Sequence, residues 1–191
     1  MLLFTLIIIF SQILIILLNY FCVPALASLS LGFIVGAVIV STFVEVIIDG
    51  LTCGIIRILP KKWFNPFYKR FKIFKFEKSL YKVLKINKIK DYIPDLGCFT
   101  NFRKNKIDDP YNNEYIFRYL LEATYGRVGH FASLFSGFLV VFLYPIKYCL
   151  NFGIPVAIVN FILNLIVLMA LRCNFPKLLI IYKRNEMRNK Q

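Results

Sequence analysis

The sequence predicts an all-α membrane protein with about four transmembrane helices in two hairpins and a basic amphipathic cytoplasmic loop between them. Hydrophobic residues make up 59% of the 191 residues, and the mean hydropathy is +0.67. The formal net charge is nevertheless +14, a combination that soluble domains of this length rarely carry. The apolar residues also form four long runs, and about 20 helical residues cross a bilayer core roughly 30 Å thick.

The first two runs form the predicted N-terminal transmembrane hairpin, residues 1–50. One run extends from about Leu2 to Phe21, and Pro24 marks a short turn before the second run, from about Ala25 to Ile48. The first run lacks a positively charged segment before it and is longer than the apolar part of a signal peptide. We therefore expect it to be a retained membrane helix.

Residues 51–127 are predicted to form a basic cytoplasmic and interfacial loop. The stretch from Arg57 to Lys106 holds about 15 of the 24 Lys and Arg residues. Its lysines alternate with apolar and aromatic residues, which is typical of a segment lying on anionic lipid. The same mixture occurs in proteins that bind single-stranded nucleic acid, but a segment tethered between membrane helices meets lipid headgroups first. We expect anionic lipid headgroups as partners, and no nucleic acid.

The last two runs form the predicted C-terminal hairpin, residues 128–174, and a basic cytoplasmic tail follows at residues 175–191. The runs extend from about Val128 to Tyr144 and from about Ile154 to Leu171. Six Lys and Arg residues follow the last run, whereas the connections within the two hairpins contain only Lys147. Because cytoplasmic segments are rich in Lys and Arg, the loop, the tail and, with four spans, both termini are predicted to be cytoplasmic in the cell membrane.

The cysteines carry no sign of a structural or metal site. There are five of them, an odd number, and they are far apart, with no Cys-x-x-Cys pair and no histidine cluster beside them. The sequence therefore predicts neither a disulfide framework nor a zinc site, and no bound metal or cofactor.

Polar residues in or beside the apolar runs are candidates for function, because such groups are costly to bury in a membrane. They gather at the predicted cytoplasmic ends of three runs and are Glu45, Asp49, Glu122, Arg127, His130, Arg172, Asn174 and Lys177. A simpler interpretation is that charged residues flank any membrane helix. His130 is the only histidine in the chain, and an imidazole can take up and return a proton near neutral pH.

Glu122 and His130 are eight residues apart. On a continuous helix this spacing separates them by about 12 Å along the axis and about 80° around it, too far for a direct hydrogen bond. A Glu122–His130 dyad would therefore require the helix to break near Gly126 or Gly129.

Small residues form a ridge on each of two runs, which would let the helices approach closely. The ridges are Ser28, Gly32 and Gly36 in the second run and Gly129, Ser133 and Gly137 in the third. Glu45 lies nine residues after Gly36, about 180° around the helix. If the ridges face each other, Glu45 points away from the third run. Asn160 and Asn164, in the fourth run, are expected to hydrogen-bond to neighbouring helices.

Two longer spacings resemble those of the glycosyl-4,4'-diaponeurosporenoate acyltransferases. Residues Glu122 to His130 resemble the E-x7-H segment of that family, and Asn164 to Leu178 resemble its N-x7-R-x-N-x-P-[RK]-L segment without a gap. Shorter resemblances are Leu59–Phe64 to I-P-D-K-[YW]-F, Phe74–Lys78 to F-x-F-E-K, and Lys90, Asp91, Pro94 and Gly97 to W-K-D-x-[IL]-P-x-G. The resemblance extends from about Leu51 to Arg184.

The sequence also departs from these patterns. Where the family has E-T-R-R-x-E-L-x-H, this chain has Arg127 in place of the second acid. Where the family has Q-R-Y-N-R, the chain keeps Arg172 and Asn174 but has Phe175 in place of the final arginine.

The resemblance implies transfer of a fatty acyl group onto a sugar hydroxyl of a glycosylated carotenoid, as in the synthesis of a staphyloxanthin-type pigment. The donor would be an acyl thioester, either acyl-CoA or an acyl carrier protein. In this hypothesis His130 is the general base, and Glu122 orients the imidazole or stabilises its protonated form. Arg172 and Lys177 bind the donor phosphates, and Asn174 donates to the developing oxyanion.

Two other interpretations stay open. The acceptor of the acyl group is another glycolipid or a peptide, or the chain is a non-enzymatic transporter subunit or assembly factor in which the same residues hold helices together. The sequence makes no prediction about oligomeric state.

Overall fold

Four long α-helices and three short ones form the framework of the part of the chain that the structure describes. A computed structural model describes residues 2–93 and 107–190. The α-helices in these ranges are α1 (Leu2–Cys22), α2 (Leu31–Ile58), α3 (Lys75–Val83), α4 (Ile86–Ile89), α5 (Asn113–Ser136), α6 (Ile146–Tyr148) and α7 (Ile154–Arg188). No β-strand occurs in the described residues.

Helical segments of other pitch continue or connect the α-helices. A 3₁₀ segment, Gly137–Leu143, extends α5, and a π segment, Cys149–Gly153, joins α6 to α7. Shorter 3₁₀ turns are Pro24–Leu26, Lys61–Phe64, Lys69–Phe71 and Lys90–Tyr92. Because of these segments, α5 and α7 belong to longer helical stretches than their α-helical bounds indicate.

Four stretches of the described residues are long and apolar enough to cross a membrane. They are Leu2–Cys22, Leu31–Ile58, Asn113–Leu143 and Ile146–Arg188. Large apolar side chains lie exposed along them, including Phe10 and Phe43, which bilayer lipid solvates at no cost. The predicted all-α membrane class with four candidate spans is therefore confirmed. The pairing of these helices into two hairpins stays a prediction.

Two helices extend well beyond their apolar runs. Helix α5 begins at Asn113, before the run that starts near Val128, and α7 continues past Leu171 to Arg188. Both extensions carry buried apolar residues at helical spacing, which pack together: Ile116, Tyr119 and Leu120 from α5 with Phe175 and Leu178 from α7. This packing keeps α7 helical through Pro176, although an interior proline removes one backbone hydrogen bond.

The described residues form two compact units. The first unit comprises Ile56–His130 and the residues from Ile166 onward, and the second comprises Leu2–Ile55 and Phe131–Leu165. The α5–α7 cluster described above is part of the core of the first unit. The core of the second unit contains Ile15, Leu26, Ile34, Ala37, Val38, Phe152 and Val156.

Polar side chains join helices within the second unit. Asn19 of α1 donates to the Asn151 carbonyl at 2.7 Å, and Asn151 donates back to Asn19 Oδ1 at 3.2 Å. The hydroxyls of Ser41 and Tyr144 lie 2.7 Å apart. In a bilayer these groups have no water to bond, so such pairs fasten the helices together.

The direction of Glu45 differs from the expectation. A Cβ placed on Gly137 would meet the Glu45 carboxylate, whereas a Cβ on Gly36 would meet nothing within 4 Å. The expectation required the two ridges to face each other, and they do not, because the Gly36 face of α2 does not pack closely. Glu45 therefore points towards the third run and not away from it. Asn160 and Asn164 bond to carboxylates on α2, which confirms that they bond to a neighbouring helix.

Candidate active site

Glu77 lies at the centre of a hydrogen-bonded ionic network in the first unit. It is in the first turn of α3, and its carboxylate accepts hydrogen bonds from Arg172 Nε and Nη2, both at 2.7 Å. The Tyr81 hydroxyl, one turn later on α3, donates to the same carboxylate at 2.6 Å. A bidentate arginine–carboxylate pair is among the strongest polar contacts in proteins. It fixes α3 of the loop against α7, across 95 residues of sequence.

The Glu77 carboxyl of this network is ionised at neutral pH. Burial alone would raise the pKa of the Glu77 carboxyl, but the hydrogen bonds from Arg172 and Tyr81 and the charge of Arg172 bring that pKa below its ordinary value of 4.5. Burial, together with the hydrogen bond to the Glu77 carboxylate and its charge, raises the pKa of Tyr81 to about 12. The phenol therefore keeps its proton and remains the donor.

Arg127, on α5, also belongs to the first unit, and its side chain is almost completely buried. Its Nη1 donates to the Phe71 carbonyl at 3.0 Å and its Nη2 to Thr124 Oγ1 at 2.9 Å. Its Cζ lies 3.5 Å from the centroid of the Phe175 ring. Arg172 Nη2 also donates to the Lys72 carbonyl, at 3.3 Å. The carbonyls of two consecutive residues, Phe71 and Lys72, thus bind one arginine from α5 and one from α7.

The structure pairs Glu122 with Arg57. Their Nη2 and Oε2 atoms are 2.7 Å apart, with 48% of the Arg57 side chain and 23% of the Glu122 side chain exposed. Helix α5 is continuous through Gly126 and Gly129, so the break that a dyad requires is not present. The half-buried His130 therefore lies about 12 Å further along the same helix, beyond direct reach of Glu122.

The other predicted residues lie on consecutive turns of α7. Lys177 Nζ is 3.4 Å from Asn174 Oδ1 and 3.4 Å from Asn87 Oδ1, at α4. Cys173 Sγ donates to the same Asn87 oxygen at 3.5 Å. Arg172, Asn174 and Lys177 are thus brought next to the loop helices, Arg172 against α3 and Lys177 against α4.

The sequence reasoning missed Glu77 and Tyr81 as parts of the site. A signal for Glu77 was present, because it is the one acidic residue between Arg57 and Lys90, among twelve Lys and Arg residues. It also belongs to the stretch that resembles F-x-F-E-K. No comparable signal identified Tyr81, one of 11 tyrosines.

Comparison with known proteins identifies a family for this chain. A family model described as glycosyl-4,4'-diaponeurosporenoate acyltransferase matches residues 60–184, a range that contains Glu77, Glu122, His130 and Arg172. Within the matched range, Pro94 and Gly97 lie outside the described residues. No curated protein and no solved structure matches the chain. Because the matched range covers well over half of the sequence, the chain belongs to the glycosyl-4,4'-diaponeurosporenoate acyltransferase family, a family of membrane acyltransferases.

Proposed function

We propose that this protein transfers a fatty acyl group from an acyl thioester to a sugar hydroxyl of a glycosylated carotenoid, in the synthesis of a staphyloxanthin-type pigment. The observation that carries the proposal is the family match over residues 60–184. The Glu77–Arg172 pair supports it, because it joins two segments that resemble separate family patterns. Residues that stand far apart in the sequence thereby form one polar site.

His130 is the proposed general base. Its imidazole takes the proton of the sugar hydroxyl while the hydroxyl oxygen attacks the carbonyl carbon of the thioester. A C–O bond forms, the tetrahedral intermediate collapses, and the C–S bond breaks. The departing thiolate then takes the proton from the imidazolium, which restores the base. General base catalysis of this kind typically contributes about 10² to 10⁴-fold in rate.

Asn174, Lys177 and Arg172 are the proposed binding residues. The Asn174 carbonyl oxygen faces Lys177, so its amide N–H groups are the ones suited to donate to an oxyanion. Lys177 is exposed and Arg172 is held rigidly by Glu77, an arrangement suited to the phosphates of coenzyme A or of an acyl carrier protein. No cofactor has a chemical role in this reaction.

Glu122 is a proposed positioning residue. Its ion pair with Arg57, in the last turn of α2, fixes the helix that carries His130. Orientation of the imidazole through α5 takes the place of direct contact between the two side chains.

The loop helix α3 is proposed to lie on the cytoplasmic membrane surface. Phe76, Leu80 and Val83 are exposed on it beside several lysines, as in helices that bind anionic lipid. In this orientation the site faces the cytoplasm, where acyl thioesters are made. Both termini are then cytoplasmic as well. Terminal fusions to green fluorescent protein should fluoresce, and fusions to alkaline phosphatase should be inactive. The opposite pattern would mean that both termini and the site face away from the cytoplasm, which would contradict the proposed orientation.

Two alternatives to the proposed activity need separate readouts. One keeps acyl transfer but changes the acceptor to another glycolipid or a peptide. The other is a non-enzymatic membrane protein, either a transporter subunit or an assembly factor, in which the polar residues only fasten helices.

Mass spectrometry of lipid extracts separates these possibilities. Cells that make a glycosylated carotenoid are compared with and without this protein, and with the His130→Ala variant. We expect an acylated glycosyl carotenoid only with the wild-type protein. An acyl ester on a different glycolipid or on a peptide identifies the alternative acceptor. Unchanged extracts in the presence of a folded, membrane-inserted protein would exclude acyl transfer.

A further inference from the structure

Two carboxylates lie within the membrane-spanning part of the second unit. Glu45 and Asp49 are one turn apart on α2, and two asparagines of α7 bond to them. Asn160 Nδ2 donates to Glu45 Oε1 and, at 3.3 Å, to Asp49 Oδ1. Asn164 Nδ2 donates to Asp49 Oδ2 at 2.9 Å. Three of the four carboxylate oxygens therefore have an amide donor.

The fourth oxygen, Glu45 Oε2, has no hydrogen-bond partner among residues 2–93 and 107–190, although Glu45 is only 4% exposed. In the described part of the second unit the one Lys or Arg side chain is Lys147, whose ammonium lies 4.6 Å from the Tyr148 ring centroid. A buried oxygen without a partner is costly. If Glu45 served only to hold the helices together, it would not need to leave one oxygen without a hydrogen bond. Glu45 Oε2 is thus the position where a ligand would gain a hydrogen bond.

Glu45, Asp49 and Asn160 line a partly open cavity of about 70 Å³. Ser11 and Gln12 of α1 lie on its wall, and most of its other lining residues are Ile, Val and Leu. One water needs about 10–15 Å³ measured in this way, so the cavity has room for a group of several heavy atoms. The lining is thus mostly aliphatic, and Glu45, which contributes to it, carries the unpartnered Oε2.

We propose that this cavity binds the hydroxyl end of a membrane-dissolved alkyl chain, with the hydroxyl at Glu45 Oε2. A hydroxyl both donates and accepts, so it satisfies this oxygen whether Glu45 is ionised or protonated. The aliphatic walls fit the alkyl chain, whereas they would strip water from an ammonium headgroup at high cost. Glu45 and Asp49 precede the family match at residues 60–184, whereas Asn160 and Asn164 lie within it. None of the residues proposed above for acyl transfer lines the cavity.

Photolabelling in lipid nanodiscs of phosphatidylcholine tests the proposal. The probe is hexadecan-1-ol with a diazirine near the hydroxyl, and the matched control is its methyl ether, which accepts but cannot donate a hydrogen bond. We expect the alcohol to label α1 and α2 peptides beside the cavity about fivefold more than the ether, as the loss of one hydrogen bond implies. Glu45→Leu should abolish this preference, and Glu45→Gln, which still donates and accepts, should retain it.

The alcohol-to-ether ratio of the wild-type protein is decisive without any variant. Equal labelling by the two probes, or labelling spread evenly over lipid-facing residues, would show that the cavity is only a gap between helices. A preference that survives in Glu45→Leu would equally overturn the assignment, because the hydroxyl would then be held elsewhere.

Discussion

Among individual residues, Glu77 joins the loop helix α3 to α7. It binds Arg172 through two hydrogen bonds and Tyr81 through a third. The sequence indicated Arg172, because it lies at the end of an apolar run and in a family pattern. It did not indicate the partner, because a pair separated by 95 residues depends on tertiary packing that residue spacing does not reveal.

Replacing Glu77 should destabilise the first unit more than removing its phenol donor. Glu77→Gln leaves the Arg172 charge without its carboxylate, and we expect the free energy of unfolding to fall by about 2–3 kcal/mol, less than for a fully buried pair because Arg172 is 20% exposed. Tyr81→Phe removes one hydrogen bond and should cost about 1 kcal/mol. Unfolding midpoints in detergent measure both. Equal losses for the two variants would show that the ion pair adds nothing beyond an ordinary hydrogen bond.

The contribution of Glu77 should also depend on pH in a defined direction. Its pKa in the folded protein lies below the ordinary value of 4.5, so the folded state binds the proton less readily than the unfolded state. The stabilisation is therefore complete above about pH 4.5 and is lost as the pH falls through the folded-state pKa. We expect the stability difference between wild type and Glu77→Gln to be constant from about pH 7 to 5 and to shrink below about 4.5. A difference that grows on acidification would contradict the assigned shift.

Arg127 and Phe175 are both departures from the family patterns, and the structure places them in contact. The Arg127 guanidinium lies over the Phe175 ring, with 3.5 Å between Cζ and the ring centroid. The patterns have an acid at the first position and an arginine at the second. We therefore expect the two departures to be coupled, since a cation and a ring face attract each other as an acid and an arginine do.

A double-mutant cycle tests this coupling. Arg127→Glu alone sets a carboxylate against the negative face of the ring, and Phe175→Arg alone sets one guanidinium beside another. Together they form an acid–arginine pair. The double variant should lose less stability than the sum of the two singles, by about 1–3 kcal/mol in unfolding experiments. Additive losses would mean that the two positions vary independently.

At the scale of elements, the apolar runs located the four long helices but not all their ends. Helix α7 continues to Arg188 because Phe175 and Leu178 pack against α5. The spacing of these residues was visible, but the basic residues around them favoured the interpretation of a tail. The direction of Glu45 was missed for a related reason, since which face of α2 packs closely depends on its neighbours and not on its own small residues.

Gly137, at the start of the 3₁₀ extension of α5, should be much less replaceable than Gly36. An alanine Cβ there would meet the Glu45 carboxylate and the Asn160 amide, whereas at Gly36 it would meet nothing within 4 Å. We expect Gly137→Ala to cost about 1–3 kcal/mol of stability through overpacking, and Gly36→Ala to be neutral or slightly stabilising in its helix. Thermal unfolding of the two variants in parallel provides the comparison. If both were tolerated equally, the close approach at Gly137 would not limit packing.

At the scale of the whole molecule, hydropathy was sufficient to predict the class. Runs of about 20 apolar residues are typical of membrane helices. A helix bonds its backbone N–H and C=O groups internally, which the bilayer requires because it offers them no water. Family patterns then indicated the acyltransferase family, which the match over residues 60–184 shows. The division into two units and the polar networks within them depend on side-chain packing, which neither hydropathy nor spacing encodes.

In the proposed reaction the first unit carries out acyl transfer with His130 as its base. The most direct test is the rate of transfer from a deuterium-labelled acyl thioester to a glycosylated carotenoid by purified protein in nanodiscs, for wild type and His130→Ala. We predict a loss of about 10² to 10⁴-fold in the variant with an unchanged unfolding temperature. A His130→Ala rate within about threefold of wild type would show that His130 is not the base.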